Sequence, residues 1–360
     1  MTSLKELSEH LGLSRTQVSR AMNDFPDVSD KTRRRVREAA KELGYRPNVL
    51  AQRLRSGKSG IVGLVVPERT EQEESNILLE VMLGLATAFW KRDILVVLNV
   101  MPEGAKTAEA YIRLARDGAL DGFIVLNPNL DDEGFATLGK NAVPFVTHGR
   151  HAEICDYPYV DLDNRATGRM LAEHLTELGH RRIALIDGPD TQFFAQEREA
   201  GVREALDAVG GTLEAKYIRR GMMTEQLGEN AIAALFDHLP EPPTAVIAGN
   251  MVVATGAMRA LEARGLRIPE DVSFVAHNDD LARYPRENLT PLPAGTRSPF
   301  KEAWGLMVDA LMNEINDKRG AESQTVLSPV FVEGLSTAAP KPDLAHLGSG
   351  SRTTSTEQCA

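Results

Sequence analysis

Six polar side chains within residues 15–23, Arg15, Thr16, Gln17, Ser19, Arg20 and Asn23, are the groups in this chain best suited to reading a nucleic acid. Arginine donates in a fork that fits the guanine edge, glutamine and asparagine pair with adenine, and serine or threonine serve base or phosphate. Such hydrogen bonding needs a rigid element that holds the donors in one register. The neighbouring residues supply it. Ser14 followed by Gln17 is a capping box and Val18 with Met22 an apolar stripe, so a short helix is predicted with the polar set on its open face. Ser3 followed by Glu6 starts an earlier helix carrying Leu4, Leu7 and Leu11 on one side, and Gly12 stops it. Helix, glycine turn and helix within residues 3–23 outline a helix-turn-helix. The competing reading is a helical hairpin with a solvated face, in which Ser3 and Ser14 do nothing but cap.

A third helix is predicted from Ser29 to about Leu43, with Val36, Ala40 and Leu43 on one face and Gly44 at its end. Three short helices can share one small core, which makes residues 1–46 a helix-turn-helix DNA-binding domain. Charge agrees. The whole chain carries a net −10, yet residues 1–60 hold 13 Lys+Arg against 7 Asp+Glu, leaving −16 on the remainder. A basic head can approach phosphate while an acidic body stays off it. The dense run Lys31, Arg33, Arg34, Arg35 and Arg37 is read as phosphate contact. Residues 47–60 are read as a hinge helix, Val49–Leu54, followed by the polar joint Arg55–Gly60. So short a helix is not stable in isolation.

Bulk composition is that of a soluble globular protein, 42% hydrophobic and 26% charged. There is no apolar run of the roughly 20 residues that a membrane span needs and no signal-peptide pattern, so a cytoplasmic protein without membrane contact is expected. Cys155 and Cys359 lie far apart, which offers neither a disulfide framework nor metal spacing. A Gly-x-Gly-x-x-Gly turn after a strand, a Walker loop and a serine nucleophile elbow are all missing, and the acids of ERTEQEESN after the first strand would repel pyrophosphate. An enzyme on this frame is therefore disfavoured: no catalytic residues, no metal and no cofactor are expected.

From Ile61 the texture changes to apolar runs of strand length, 61–66, 94–100, 122–127, 144–148, 182–186, 245–250 and 272–277. Amphipathic helical stretches lie between most of them, at 77–91, 106–117, 165–178, 197–209, 225–238 and 253–264. This alternation predicts an α/β body of two doubly wound parallel-sheet lobes over 61–335, each run buried on both faces. A ligand would sit at the carboxyl ends of the strands, in the cleft between lobes. Residues 336–360 are read as a disordered polar tail.

TQVSRAMN, VSDKTRRRV, LGYRPN and AQRLRSGKS together resemble the DNA-binding head of the LacI/GalR family of bacterial regulators. GHRRIALIDGP, REAGVREAL, PPTAVIAGN, GAMRALEARGLRIPEDVSFVAHND and TRSPFKEAWG extend the likeness in one register over about residues 3–335. PFVTHGR and VAHNDD resemble the α-glucoside regulators of rhizobia in particular. The resemblance implies a homodimer, in some members a tetramer, that binds a pseudo-palindromic operator in double-stranded DNA and a small effector, commonly a sugar. Repression is the family default. It places Arg15, Thr16 and Arg20 in the major groove, and Ser3, Ser14, Ser19 and Asn23 at cap or phosphate positions. Asn48 falls in the matched segment beside them, and Leu54 matches the leucine that the family wedges into the minor groove.

In the body the resemblance assigns Arg198 to effector oxygens, with a helix opening there, and a forked guanidinium suits vicinal hydroxyls or a carboxylate. Phe193 or Phe194 would stack on a sugar face or fill the core. Asn250 keeps the first half of the family's Asn-Asp pair, but Met251 replaces the acid; Asn278 stands where an effector-binding Asp is usual. His148 and Arg150 end a cleft-facing strand, and His148 is equally well read as packing. Met223 with Met222 takes the place of a lining aromatic. The segment 289–297 is read as the strand that leads back to the first lobe. The expected function is an effector-controlled repressor. An activator, a purine-like or phosphorylated effector acting through Arg198 and Arg150, and a two-lobed sugar-binding protein with no DNA role are the alternatives.

Overall fold

The computed structural model describes residues 3–45, 58–67, 77–102, 105–116, 120–130, 133–298, 300–317 and 323–341. Asn48, Leu54 and the expected hinge helix lie outside them, as do residues 342–360 of the expected tail. The chain divides into two compact units, Met1–Gly60 and Ile61–Ala360.

In the first unit, α1 (Leu4–Leu11), α2 (Arg15–Met22) and α3 (Asp30–Glu42) close over a core of Leu7, Leu11, Val18, Ala21, Val36, Ala39 and Ala40. Each helix starts where its cap is written. Ser3 Oγ accepts from Glu6 N at 3.2 Å while Glu6 Oε2 takes Ser3 N–H at 2.6 Å. Ser14 and Gln17 reciprocate in the same way at 3.2 and 3.0 Å, and Ser29 caps Thr32 N. Gly12, at φ 63°, turns the chain between α1 and α2 through a left-handed conformation that a side chain would resist.

Among the described residues, the second unit is α/β with two six-stranded sheets. Lobe 1 holds β1 (Ile61–Pro67), β2 (Leu95–Met101), β3 (Gly122–Leu126), β4 (Phe145–His148), β5 (Tyr159–Leu162) and β11 (Gln324–Leu327), in the order β11-β5-β4-β3-β1-β2, all parallel. Its helices are α4 (Ile77–Trp90), α5 (Thr107–Arg116), α6 (Glu133–Lys140) and α11 (Phe300–Ile315). One face of the sheet packs Leu64, Ile124 and Val146 against α4 and α11; the other packs Phe123, Val125 and Phe145 toward α5 and α6.

Lobe 2 orders β12 (Val330–Val332), β10 (Ala294–Arg297), β9 (Ser273–Asn278), β8 (Ala245–Ala248), β6 (Ile183–Asp187) and β7 (Ile218–Arg220) side by side, only the β10–β12 pair being antiparallel. α7 (Asn164–Glu177) and α8 (Phe193–Asp207) cover one face, and α9 (Glu225–Phe236) and α10 (Met251–Ala263) the other. The segment 289–297 enters this second sheet as β10, and the return to lobe 1 follows through α11.

Three expectations change. The run 94–100 is not buried on both faces: β2 forms a sheet edge, and Leu95, Val97, Leu98 and Val100 are exposed. The helix expected to open near 197 starts at Phe193, a full turn earlier, because Gln192 already has extended cap geometry. The polar tail does not begin at 336. Ser336 is fully buried, its Oγ receiving Ala294 N–H at 2.8 Å, and Ala338 bonds Ser273 Oγ and His180 Nε2 at 3.0 and 2.9 Å. Residues 335–338 thus strap lobe 2 through backbone groups and the Ser336 hydroxyl, which carry no hydrophobic signature in a sequence.

Candidate functional site

On the head, α2 presents Arg15, Thr16 and Gln17 to solvent, with Ser19 half-buried and Asn23 capping its end. Arg20 is held: its guanidinium pairs with Asp27 at 2.8 Å and lies 4.5 Å from the Phe25 ring centroid. Asn23 Nδ2 donates to Ser19 O at 2.6 Å. Three residues of the basic run of α3 also have partners inside the head. Arg35 donates to Leu11 O at 3.0 Å, closing the carboxyl end of α1. Arg37 pairs with Asp24 at 2.6 Å and Arg33 with Asp30 at 3.0 Å. Lys31 and Arg34 are exposed.

In the body, a cleft of about 240 Å³ opens where the two sheets present their carboxyl ends, just below the roughly 300–1,000 Å³ usual for small-molecule sites. Lobe 1 supplies Asn127, His148 and Asp161; lobe 2 supplies Asn164, Gln192, Phe194, Arg198, Met223, Asn250 and Asp279 among others.

Arg198 is its best-organised group. α8 brings it up from the second turn, only 4% exposed. Its Nη1 donates to Asp187 Oδ1 at 2.9 Å and Gly249 O at 2.8 Å, and its Nη2 to Asn164 Oδ1 at 2.7 Å. Phe194, one turn back on the same helix, stacks with ring centroid 5.3 Å from the guanidinium. A guanidinium held on three sides by acceptors keeps one orientation and loses little entropy when it binds a ligand oxygen.

Asn250 caps α10 through Oδ1, which accepts Val253 N–H at 2.9 Å, leaving its amide nitrogen as the donor for the cleft. Met223 lines the wall beside Met222. His148 lines lobe 1's side, its ring 5.6 Å from that of Trp304, and burial pushes it down to about 4, with Asp279 opposing. At neutral pH it is an uncharged imidazole.

Three expected residues do not reach the cleft lining. Arg150 turns to Asp161, Nε to Oδ2 at 2.8 Å, and lies over Tyr159 and Phe193. Phe193 packs beneath it; the early start of α8 rotates Phe194 to the ligand side instead. Asn278 is buried, and its Oδ1 receives Asp280 N–H at 2.9 Å, so the carboxylate at the cleft comes from the next residue, Asp279. Sequence reasoning missed Asp161, Asn164, Asp187 and Asp279. All four stand at strand ends or a helix start, the one local signal that could have pointed to them. Among the described residues no cluster of three potential ligands could hold a metal ion, and no helix is long and apolar enough to cross a membrane.

Comparison with known proteins agrees with both units. The family described as "Bacterial regulatory proteins, lacI family" matches residues 3–48, and "Periplasmic binding protein-like domain" matches 172–337. The HTH-type transcriptional regulator AglR of Rhizobium meliloti (strain 1021) is 37% identical over 96% of both chains. The solved structure of a transcriptional regulator CelR–cellobiose complex is 30% identical, with a TM-score of 0.69, over 93% of this chain and 100% of that one. The lac repressor dimer bound to operator and the anti-inducer ONPF shares the fold at a TM-score of 0.78 and 24% identity, covering 94% and 99%.

Proposed function

The chain belongs to the LacI family of bacterial regulatory proteins, and from that membership we propose a homodimeric, cytoplasmic repressor whose hold on its operator is set by a sugar or glycoside in the interlobe cleft. It is a DNA-binding transcriptional regulator of the helix-turn-helix type. Residues 1–46 read the operator, 47–60 connect, and the body from 61 binds effector and partner; catalysis has no part in this reading.

On the head, Arg15 and Thr16 read base edges, Arg20 joins them by exchanging Asp27 for DNA, and Ser3, Ser14, Ser19 and Asn23 contact phosphate beside their capping bonds. Asn48 and Leu54 complete the set. In the cleft, Arg198, Asn250 and Asp279 take hydroxyls and Phe194 takes a sugar face. Cellobiose in the similar CelR complex supports a sugar.

Dimerisation rests on the edge of lobe 1. β2 leaves Val97 44% and Val100 53% exposed, and α4 beside it leaves Leu83 60% and Trp90 70% exposed. So much clustered apolar surface on a sheet edge invites a second copy, and a two-fold dimer suits a two-fold operator.

The observation that carries the effector reading is the oriented Arg198 guanidinium at a small-molecule cleft between two sheets. Fluorescence anisotropy on the protein's own promoter DNA, titrated with maltose, trehalose, sucrose and cellobiose, tests it. One sugar is expected to weaken operator binding by roughly 5- to 150-fold, the usual coupling range. Binding indifferent to DNA sequence, or to every sugar, would refute it.

A further inference from the structure

Across the carboxyl ends of lobe 2's sheet, Asp187 on β6, Gly249 after β8, His277 on β9 and Thr296 on β10 form one row. Asp187 is fully buried. Its Oδ1 accepts from Arg198 Nη1 and, at 2.8 Å, from Gly188 N. A Cβ at Gly249 would run into Asp187 Oδ1 and Met223 Cε, so only glycine lets this carboxylate lie against the arginine. Asp187 Oδ2 and Arg198 Nε, both buried, have no hydrogen-bond partner among the described residues.

A lone guanidinium facing a cleft would trap any phosphate or carboxylate that entered. Here the charge is met before a ligand arrives. Arg150, the other arginine near the cleft, is likewise held by Asp161. Arg220, beside Asp187 on the neighbouring strand, is held by Glu199. His148 adds no positive charge at neutral pH. Asp279 adds a carboxylate to the lining, with His277 Nε2 3.2 Å away.

We propose that Asp187 is the specificity-determining residue of the cleft: by neutralising Arg198 it restricts the effector to a neutral polyhydroxyl compound and excludes phosphorylated sugars. This rests on the cleft being the effector site. A neutral ligand uses Arg198 and Asn250 as donors and Asp279 as acceptor without breaking an ion pair. A phosphate monoester would have to displace Asp187 from Arg198 or sit against Asp279.

Orthophosphate titration of the full-length protein, read by thermal shift, tests this without knowledge of the effector. Wild type is expected to show no saturable rise in Tm that depends on Arg198, with Arg198→Gln as reference. Asp187→Asn should acquire a saturable rise, and the double variant with Arg198→Gln should lose it. An Arg198-dependent phosphate shift in wild type, or none in folded Asp187→Asn, overturns the proposal. Should Asp187→Asn lack a thermal transition, Asp187→Ser carries the decision with the same readout. It leaves Arg198 without its carboxylate and should gain the Arg198-dependent phosphate shift that wild type lacks, and a folded variant without that shift overturns the proposal. Trehalose and trehalose 6-phosphate are titrated in parallel. If neither binds while the phosphate results hold, the choice of sugar fails and the charge rule stands.

Discussion

Two side chains of like charge take different parts because of what lies beside them. Arg198 meets three acceptors and still faces the cleft, whereas Arg150 is drawn to Asp161 and out of the lining. His148 shows the same dependence on surroundings. Its folded value of about 4 lies below the ordinary 6.5, so the stabilisation it brings is fully present above pH 6.5 and is lost as pH falls toward 4. Burial lowers His174 and His180 too, with the same sign. Urea denaturation at pH 7 and pH 5 should show stability falling, and His148→Asn should reduce the fall by about 1 kcal/mol, a figure lowered to allow for the ring's partial exposure. A fall of equal size in the variant would mean that the imidazole is as well solvated in the folded chain as in the unfolded one.

At the scale of elements, the pair α7–α8 builds the ligand side of lobe 2. Gly168 lets the two helices approach until a Cβ would strike the backbone oxygen of Arg198 itself, and Gly201 makes the reciprocal contact with Arg165. Asn164 and Arg198, which bond each other at 2.7 Å, ride on these two helices. Gly168→Ala should therefore cost about 1–3 kcal/mol in urea unfolding, as overpacking does, and should weaken effector binding in calorimetry as well. Gly139→Ala on α6, where a Cβ meets nothing within 4 Å, is the control; it should be neutral or stabilising by up to about 1 kcal/mol. Loss of stability in the control alone would refute the close-approach argument.

At the scale of the molecule, binding energy from two half-sites is available only if two heads are tethered together. Val97→Glu places a charge on the open edge of β2, outside the cleft lining. Sedimentation equilibrium is expected to give the mass of one chain, and operator affinity should fall while effector affinity in the body stays close to wild type. A variant that remains dimeric would move the interface elsewhere.

The amino-acid sequence by itself determined what depends on neighbours within a few residues. Capping boxes at Ser3 and Ser14, the stop at Gly12 and the alternation of apolar runs with amphipathic stretches are local rules, and the three-helix head and the two α/β lobes follow them. Tertiary structure alone decided which side chains converge. The choice of Phe194 over Phe193 turned on where α8 begins, and that of Asp279 over Asn278 on which one the backbone of Asp280 engages. The pairing of Asp187 with Arg198, the exposure of β2 and the burial of Ser336 join residues distant in sequence, or strands whose sheet position no local pattern encodes. Periodicity reports which face of an element is apolar; only packing reports what that face meets.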